Sequence, residues 1–351
     1  MSYDAASTCA EAGAATFAVA AVVSVAIIIT LKPWLQRIAL AKPNARSSHR
    51  EPTPQGGGMA VIAATIATAC AALYLFPPAA ADGWPLLPVF AAAVLIAAVG
   101  AADDIRSIGV APRLLLQALA VALVIFTLPG ELRIAPLLPW WIERLALVVG
   151  GLWFVNLVNF MDGLDWMTVA EVVPITAALA VIGALGLLPP AEAITSFALC
   201  GAMIGFAYFN QPVAKLFLGD VGSLPIGLLL GWLLVQLGGH HGLAAAILLP
   251  LYYLADATIT LIRRLVNGEP VWEAHRSHFY QRATDRGFSV REVVAHVFAV
   301  NLGLVALASF TLAAPGLMND VAALVCGAAL VGWLLFAFAR GKSVMVRRPQ
   351  A

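Results

Sequence analysis

The sequence predicts an all-α fold, a polytopic membrane helical bundle of about 11 transmembrane helices. Three observations carry that expectation. The 351 residues are 62% hydrophobic and only 11% charged, where a soluble domain carries about 25% charge. The apolar segments run to about 20 residues, the length a helix needs to cross a bilayer. They lack the apolar–polar alternation of barrel strands. The whole chain, 1–351, reads as a single integral-membrane domain. Its net charge of +1 implies no bulk electrostatic partner and no nucleic acid. Cys9, Cys70, Cys200 and Cys326 are scattered and show no metal or disulfide spacing.

Taken in order, the first span covers roughly 15–36 and ends in a basic loop. No basic residue precedes Lys32, the wrong flank for a cleaved signal peptide, so this helix is expected to stay. The second span, about 57–76, is broken by Pro77-Pro78. The third, about 86–102, runs into Asp103-Asp104. The fourth is about 112–128, followed by a Pro-rich turn over 129–139, and the fifth, about 141–158, ends at Asn159. Spans six to eight cover about 168–188, 191–209 and 224–238, and a glycine-histidine turn over 238–242 leads to span nine at about 243–262. A long polar loop, 263–292, precedes the last two spans at about 293–313 and 321–339.

Lys and Arg divide unevenly between the two sets of loops. Only Arg133 and Arg144 fall on one side, and the other 18 on the opposite side. Positive charge marks the cytoplasmic face. The N-terminus is therefore expected outside and the C-terminus in the cytoplasm.

Every polar motif lies on the cytoplasmic side of this arrangement. The first loop holds Arg46 and His49, then Gly56-Gly57-Gly58, which would let a backbone approach a phosphate closely. The second holds Asp103 and Asp104, two acids that repel unless a cation lies between them. The third holds Asn156, Asn159, Asp162 and Asp165, repeated at a spacing of three. Phe217-Leu-Gly-Asp220-Val-Gly-Ser223 follows, with glycines around one carboxylate. The last loop interleaves His275, Arg276 and His278 with aromatics. Asp256 reads as a structural partner of Arg263 or Arg264. Acids bind Mg2+, bases bind phosphate oxygens, and the ion bridges the two. A membrane-surface site of this kind suits phosphoryl transfer between a soluble donor and a lipid.

With PNARSSHREPTPQGGG, Asp103-Asp104, NLVNFMDGLD, FLGDVGS and the HRSH loop in order, the chain resembles the polyprenyl-phosphate N-acetylhexosamine-1-phosphate transferase family. The resemblance implies a reaction in which undecaprenyl phosphate attacks a UDP-N-acetylhexosamine, leaving a lipid-diphosphate sugar and UMP. It places the chain at the first membrane step of O-antigen or other cell-surface polysaccharide synthesis. Motif match makes Asp220 the expected Mg2+ ligand, with Asp103 beside it. Asp103, Asp104, Asp162 and Asp165 are the expected catalytic acids. Asn156, Asn159, Arg46, His49, Arg276 and His278 are the expected substrate contacts. Mn2+ is an alternative ion, and the family allows a homodimer. A phosphate monoester has its second pKa near 6, so the lipid phosphate needs little deprotonation. Electrostatic positioning is therefore expected to outweigh general-base catalysis.

Two departures stand out. Trp166 occupies a position where the family commonly has Gly, which would reshape the sugar pocket. His278-Phe-Tyr-Gln281 replaces a histidine triplet, which argues against a muramoyl-pentapeptide donor. Deoxy sugars such as UDP-FucNAc or UDP-QuiNAc then become candidate donors beside UDP-GlcNAc. A secondary transporter would instead place polar groups near the bilayer midplane in broken or repeated helices. A non-catalytic relative acting as a scaffold is the third reading.

Overall fold

The computed structural model describes residues 3–41, 52–76, 86–271, 273 and 275–342. Arg46 and His49 lie outside the described residues, as does the Pro77-Pro78 break. The architecture is a helical bundle: α1 (Tyr3–Ile38), α2 (Gly58–Leu75), α3 (Leu86–Ile105), α4 (Val110–Phe126), α5 (Trp140–Met161), α6 (Met167–Ala184), α7 (Pro190–Ala207), α8 (Asp220–Leu237), α9 (Leu243–Leu248), α10 (Leu251–Val266), α11 (Phe279–Asp285), α12 (Val290–Ala313) and α13 (Leu317–Arg340). The only sheet among the described residues pairs β1 (Leu40–Ala41) with β2 (Thr53–Pro54), antiparallel. Nine helical stretches among the described residues are long and apolar enough to cross a membrane, and α4 is a shorter apolar helix. This is a multi-pass membrane protein. Its buried apolar residues form one core, with exposed apolar side chains such as Val22, Ile29 and Leu115 on the outside.

All eleven expected spans are occupied by helix, with three differences. The eighth begins earlier, at Asp220, so the motif carboxylate stands on the first residue of α8 and not in a loop. The ninth is broken into α9 and α10, because Pro250 has no N–H to continue the ladder. The loop expected over 263–292 contains α11. At Gly238–Gly242 the chain leaves helical geometry, with His241 at φ 67°, and α9 folds back against α8. The return carries Asp256, on α10, to the same end of the bundle as Asp220.

That end collects the segments near 55, 104, 162, 217 and 278. α13 also finishes there, where Lys342 N–H donates to Arg286 O at 3.1 Å. At the opposite end, the Arg133 guanidinium pairs with Glu143, and Arg144 donates to Pro129 O and Leu132 O at 2.7 and 3.1 Å.

The glycines at the start of α2 hold the polar end together in a way their sequence context does not announce. Gly57 and Gly58 donate their N–H groups to Phe217 O and Leu218 O, both at 2.9 Å. A Cβ on Gly58 would meet Gly222 Cα at 2.1 Å. These glycines admit the backbone of α8, and the amides expected to cradle a phosphate are spent on protein carbonyls. Gly100 does the same on α3, where a Cβ would lie 2.4 Å from the Asp220 carbonyl.

Candidate active site

The anion that approaches the glycine-bracketed turn is the protein's own. The half-buried Asp104 carboxylate, at the end of α3, accepts the N–H groups of Asp220 (3.0 Å) and Val221 (3.1 Å). It caps α8 from a neighbouring helix, satisfying amides that an N-terminus leaves unpaired and matching the helix dipole. Gly219, at φ 76°, brings the turn within reach, and a Cβ there would meet Asp104 Oδ2 at 2.5 Å. Asp220 is thereby fixed in place while its side chain stays available. Asn159 donates to Asp220 Oδ1 at 2.7 Å and to Ser223 Oγ at 2.9 Å. The other oxygen of Asp220 lies 3.7 Å from Arg113.

Asp162 follows the last residue of α5, and Thr168 donates to one of its oxygens. Burial pushes the Asp162 carboxyl up to about 7, reinforced by nearby Asp104 and Asp165 and opposed by the Thr168 bond. Asp104, Asn159, Asp162, Asp165, Asp220 and Gln281 line one cavity of about 270 Å3. Four of the five expected acids thus converge.

Asp103 does not line this cavity. It accepts Ile108 N–H at 2.6 Å and the Arg113 guanidinium at 2.8 Å, which occupies both of its oxygens. Its visible work is to hold Arg113, a residue that the sequence offered only as a charge. Ten residues separate the pair, across the tight turn between α3 and α4.

A second cavity, about 670 Å3, lies along α4, α5 and α10. Its wall is mostly apolar, with Val110, Leu114, Val149, Leu152 and Trp153 below a polar end formed by Arg113, Asn159, Asp220, His275 and His278. Asn159 and Asp220 belong to both cavities. Asn156 sits one turn deeper on α5, lining the apolar cavity, and its amide is held by Gln117 Oε1 at 2.9 Å. His275, half-buried, has its pKa pushed down to about 4, by burial and then by His278 and Arg264.

Asp256 pairs with neither Arg263 nor Arg264. It is fully buried and accepts Phe279 N–H (3.0 Å), Tyr280 N–H (3.2 Å) and the His278 ring (3.3 Å). Arg263 instead donates to Ser277 O, and Arg264 to Glu269. Arg276 turns to Thr284 and Asp285, each at 3.2 Å, and lines neither cavity. Trp166 occupies its glycine-favouring position in the left-handed region, at φ 62°. Its indole donates to Ala207 O at 2.7 Å, toward the end of α7, and the side chain is absent from the wall of the acid-lined cavity.

The donor set can be weighed against the ion that the resemblance implies. No group of three or more His, Cys, Asp or Glu among the described residues is close enough to hold a metal alone. Mg2+ does not require one, since it commonly takes one or two carboxylates and completes its shell with water and substrate phosphates. Asp220 and Asp162, facing one cavity, meet that requirement.

An acid-lined cavity joined to an apolar one at one end of the bundle has room for a polar and an apolar ligand side by side. Residues 86–238 match the model of "Glycosyl transferase family 4". The chain is 27% identical over 303 residues, 80% of its length and 81% of the relative's, to a "Probable undecaprenyl-phosphate N-acetylglucosaminyl 1-phosphate transferase" of Bacillus subtilis. It is 29% identical to a "Decaprenyl-phosphate N-acetylglucosaminephosphotransferase" of Mycobacterium tuberculosis, covering 84% of this chain and 80% of that one. A "Phospho-N-acetylmuramoyl-pentapeptide-transferase" of Synechococcus sp. is 30% identical, over 63% of this chain and 68% of its own. The chain belongs to this glycosyltransferase family 4 group of polyprenyl-phosphate sugar-1-phosphate transferases.

Proposed function

We propose that the protein transfers an N-acetylhexosamine 1-phosphate from a UDP-sugar to undecaprenyl phosphate at the cytoplasmic face of a bacterial inner membrane. The products are undecaprenyl-diphosphate-N-acetylhexosamine and UMP. The observation that carries this reading is the position of Asp220 and Asn159 on the shared wall of the two cavities. The apolar cavity suits the polyprenyl chain, and Arg113 at its polar end suits the attacking phosphate. The acid-lined cavity suits the diphosphate of the donor together with its ion.

Asp220 and Asp162 would hold Mg2+, which when bound neutralises phosphate charge and orients the diphosphate for attack. The chain's own residues do the rest. Asn159 fixes the Asp220 carboxylate, Asp104 fixes the backbone beneath it, and Asp103 fixes Arg113. A lipid phosphate oxygen forms a bond to the sugar-linked phosphorus, and the bond from that phosphorus to the UMP oxygen breaks. UMP departs as an anion, so no proton must be supplied to it. UDP-GlcNAc is the donor best supported by the named relatives, and a role in O-antigen or related surface glycan assembly follows from it.

Purified protein with undecaprenyl phosphate should release UMP from at least one UDP-N-acetylhexosamine, with the lipid product identified by mass. Chelation should abolish release, and added Mg2+ should restore it. Absence of release across a donor panel would overturn the reading.

A further inference from the structure

A third cavity, about 820 Å3, opens beside the acid-lined one and shares the wall residue Asp165 with it. It shares no wall residue with the apolar cavity, which joins at Asn159 and Asp220. Five separate pieces of chain among the described residues build it: the end of α1, the segment 52–54 with β2, Asp165 between α5 and α6, the segment 212–215 and the start of α12. Among the described residues, three cations, Lys32, Lys215 and Arg291, line it against one acid, Asp165. That acid is 6% exposed and accepts Ala214 N–H at 3.0 Å, so its charge is partly spent within the wall. Arg291 donates to Pro212 O at 3.0 Å, which keeps it on the rim. Glu292, the next acid along α12, is occupied by Lys342 and by Ser289. Neither Lys32 nor Lys215 has an ion-pair partner among the described residues.

We propose that this cavity is an electropositive vestibule that captures nucleoside diphosphate anions and passes them to the acid-lined cavity. The identity of the ligand rests on the transferase reading. The physical need is plain: a cavity lined by four acids repels an anionic donor, and cations at its mouth raise the local anion concentration and the rate of capture. Such steering weakens as salt shortens the reach of the field, from about 10 Å at 0.1 M to about 3 Å at 1 M.

The test is stopped-flow association of a fluorescent UDP derivative with the full-length protein in detergent, from about 20 mM to about 0.5 M salt. For the wild type, the association rate should fall roughly tenfold across that range. The variant Lys215→Glu/Arg291→Glu should start roughly tenfold slower, show little salt dependence and converge with the wild type at high salt. Lys215→Arg/Arg291→Lys should restore the wild-type slope, which separates charge from damage to the fold. Inorganic pyrophosphate should compete for capture and uridine should not. An unchanged slope in the charge-reversed variant, a loss equal at both salt concentrations, or no UDP capture by the wild type would each overturn the proposal. UMP release measured in parallel keeps the two readings apart. Release with an unchanged slope removes the vestibule alone, and salt-dependent capture without release removes the transfer reading alone.

Discussion

Asp220 and Asp256 are both aspartates at the polar end of the bundle, each beside a helix N-terminus, yet their surroundings differ. Asp256 is fully buried and its oxygens receive Tyr252, Thr260, His278 and the amides of Phe279 and Tyr280. Asp220 receives Asn159 on one oxygen, and the other faces two cavities with Arg113 at 3.7 Å. A buried carboxylate surrounded by donors is stabilised by them and has nothing left for a ligand. A carboxylate held on one side and open on the other keeps charge for an external cation. Asp104 stands between these cases, since it lines the acid-lined cavity while capping α8. Counting unspent oxygens therefore separates acids that build the site from those that act in it.

The largest effect should come from Asp220→Asn. It removes the open charge and keeps the backbone amide that Asp104 receives. UMP release should fall at least ~1000-fold, in the range of lost transition-state electrostatics, with the thermal midpoint nearly unchanged. Residual activity above a tenth of wild type would break the contrast. Asp104→Ala should be the mixed case. Activity should fall by about 100-fold, and stability by about 1–2 kcal/mol as a helix loses its cap. A purely catalytic loss with no shift in the midpoint would show that the cap is dispensable.

Asp256→Ala should behave in the opposite way to Asp220→Asn. Three backbone and ring donors would lose their acceptor, costing about 3 kcal/mol or more. The loop carrying His275 and His278 would loosen, so KM for the lipid should rise more than kcat falls. Arg113→Ala should raise the lipid KM roughly tenfold, in line with loss of a charge-assisted phosphate contact. Asp103→Asn should produce a smaller change in the same direction, because it acts only through Arg113.

Much of this was legible in the sequence. Span lengths located a helix at each expected span but missed α11 and the break between α9 and α10, and the uneven Lys and Arg count placed the polar loops at one end. The convergence of Asp104, Asp162, Asp165 and Asp220 followed from that sorting. Other features were hidden because they depend on long-range partners. Nothing local says that Asp104 caps a helix starting 116 residues later, or that Gly58 exists to meet Gly222. Arg113 could have been suspected from its place one short turn after an acid pair, and Gln117 one helical turn further on. Asp256 misled for a related reason. Arginines seven and eight positions along its helix looked like partners, but the acceptor faced a different helix altogether.

Glu171 gives the finest test of the comparison, because it is a buried acid that lines none of the three cavities. It is 1% exposed, on α6, and its Oε2 receives Asn301 Nδ2 at 2.7 Å, while Oε1 has no hydrogen-bond partner among the described residues. Asn301 also donates to Ala170 O at 2.9 Å, the carbonyl that Pro174 leaves without its usual helical partner. The pair ties α6 to α12, and Glu171 lines none of the three cavities, so its unpartnered oxygen faces no ligand. Glu171→Gln keeps the acceptor oxygen, so kcat and KM should stay within about twofold, well inside the range of neutral substitutions. Asn301→Leu should cost about 1–3 kcal/mol, because it strands the Ala170 carbonyl and the glutamate together. If Glu171→Gln instead lowered kcat as far as Asp220→Asn, counting unspent oxygens would fail as a guide to function.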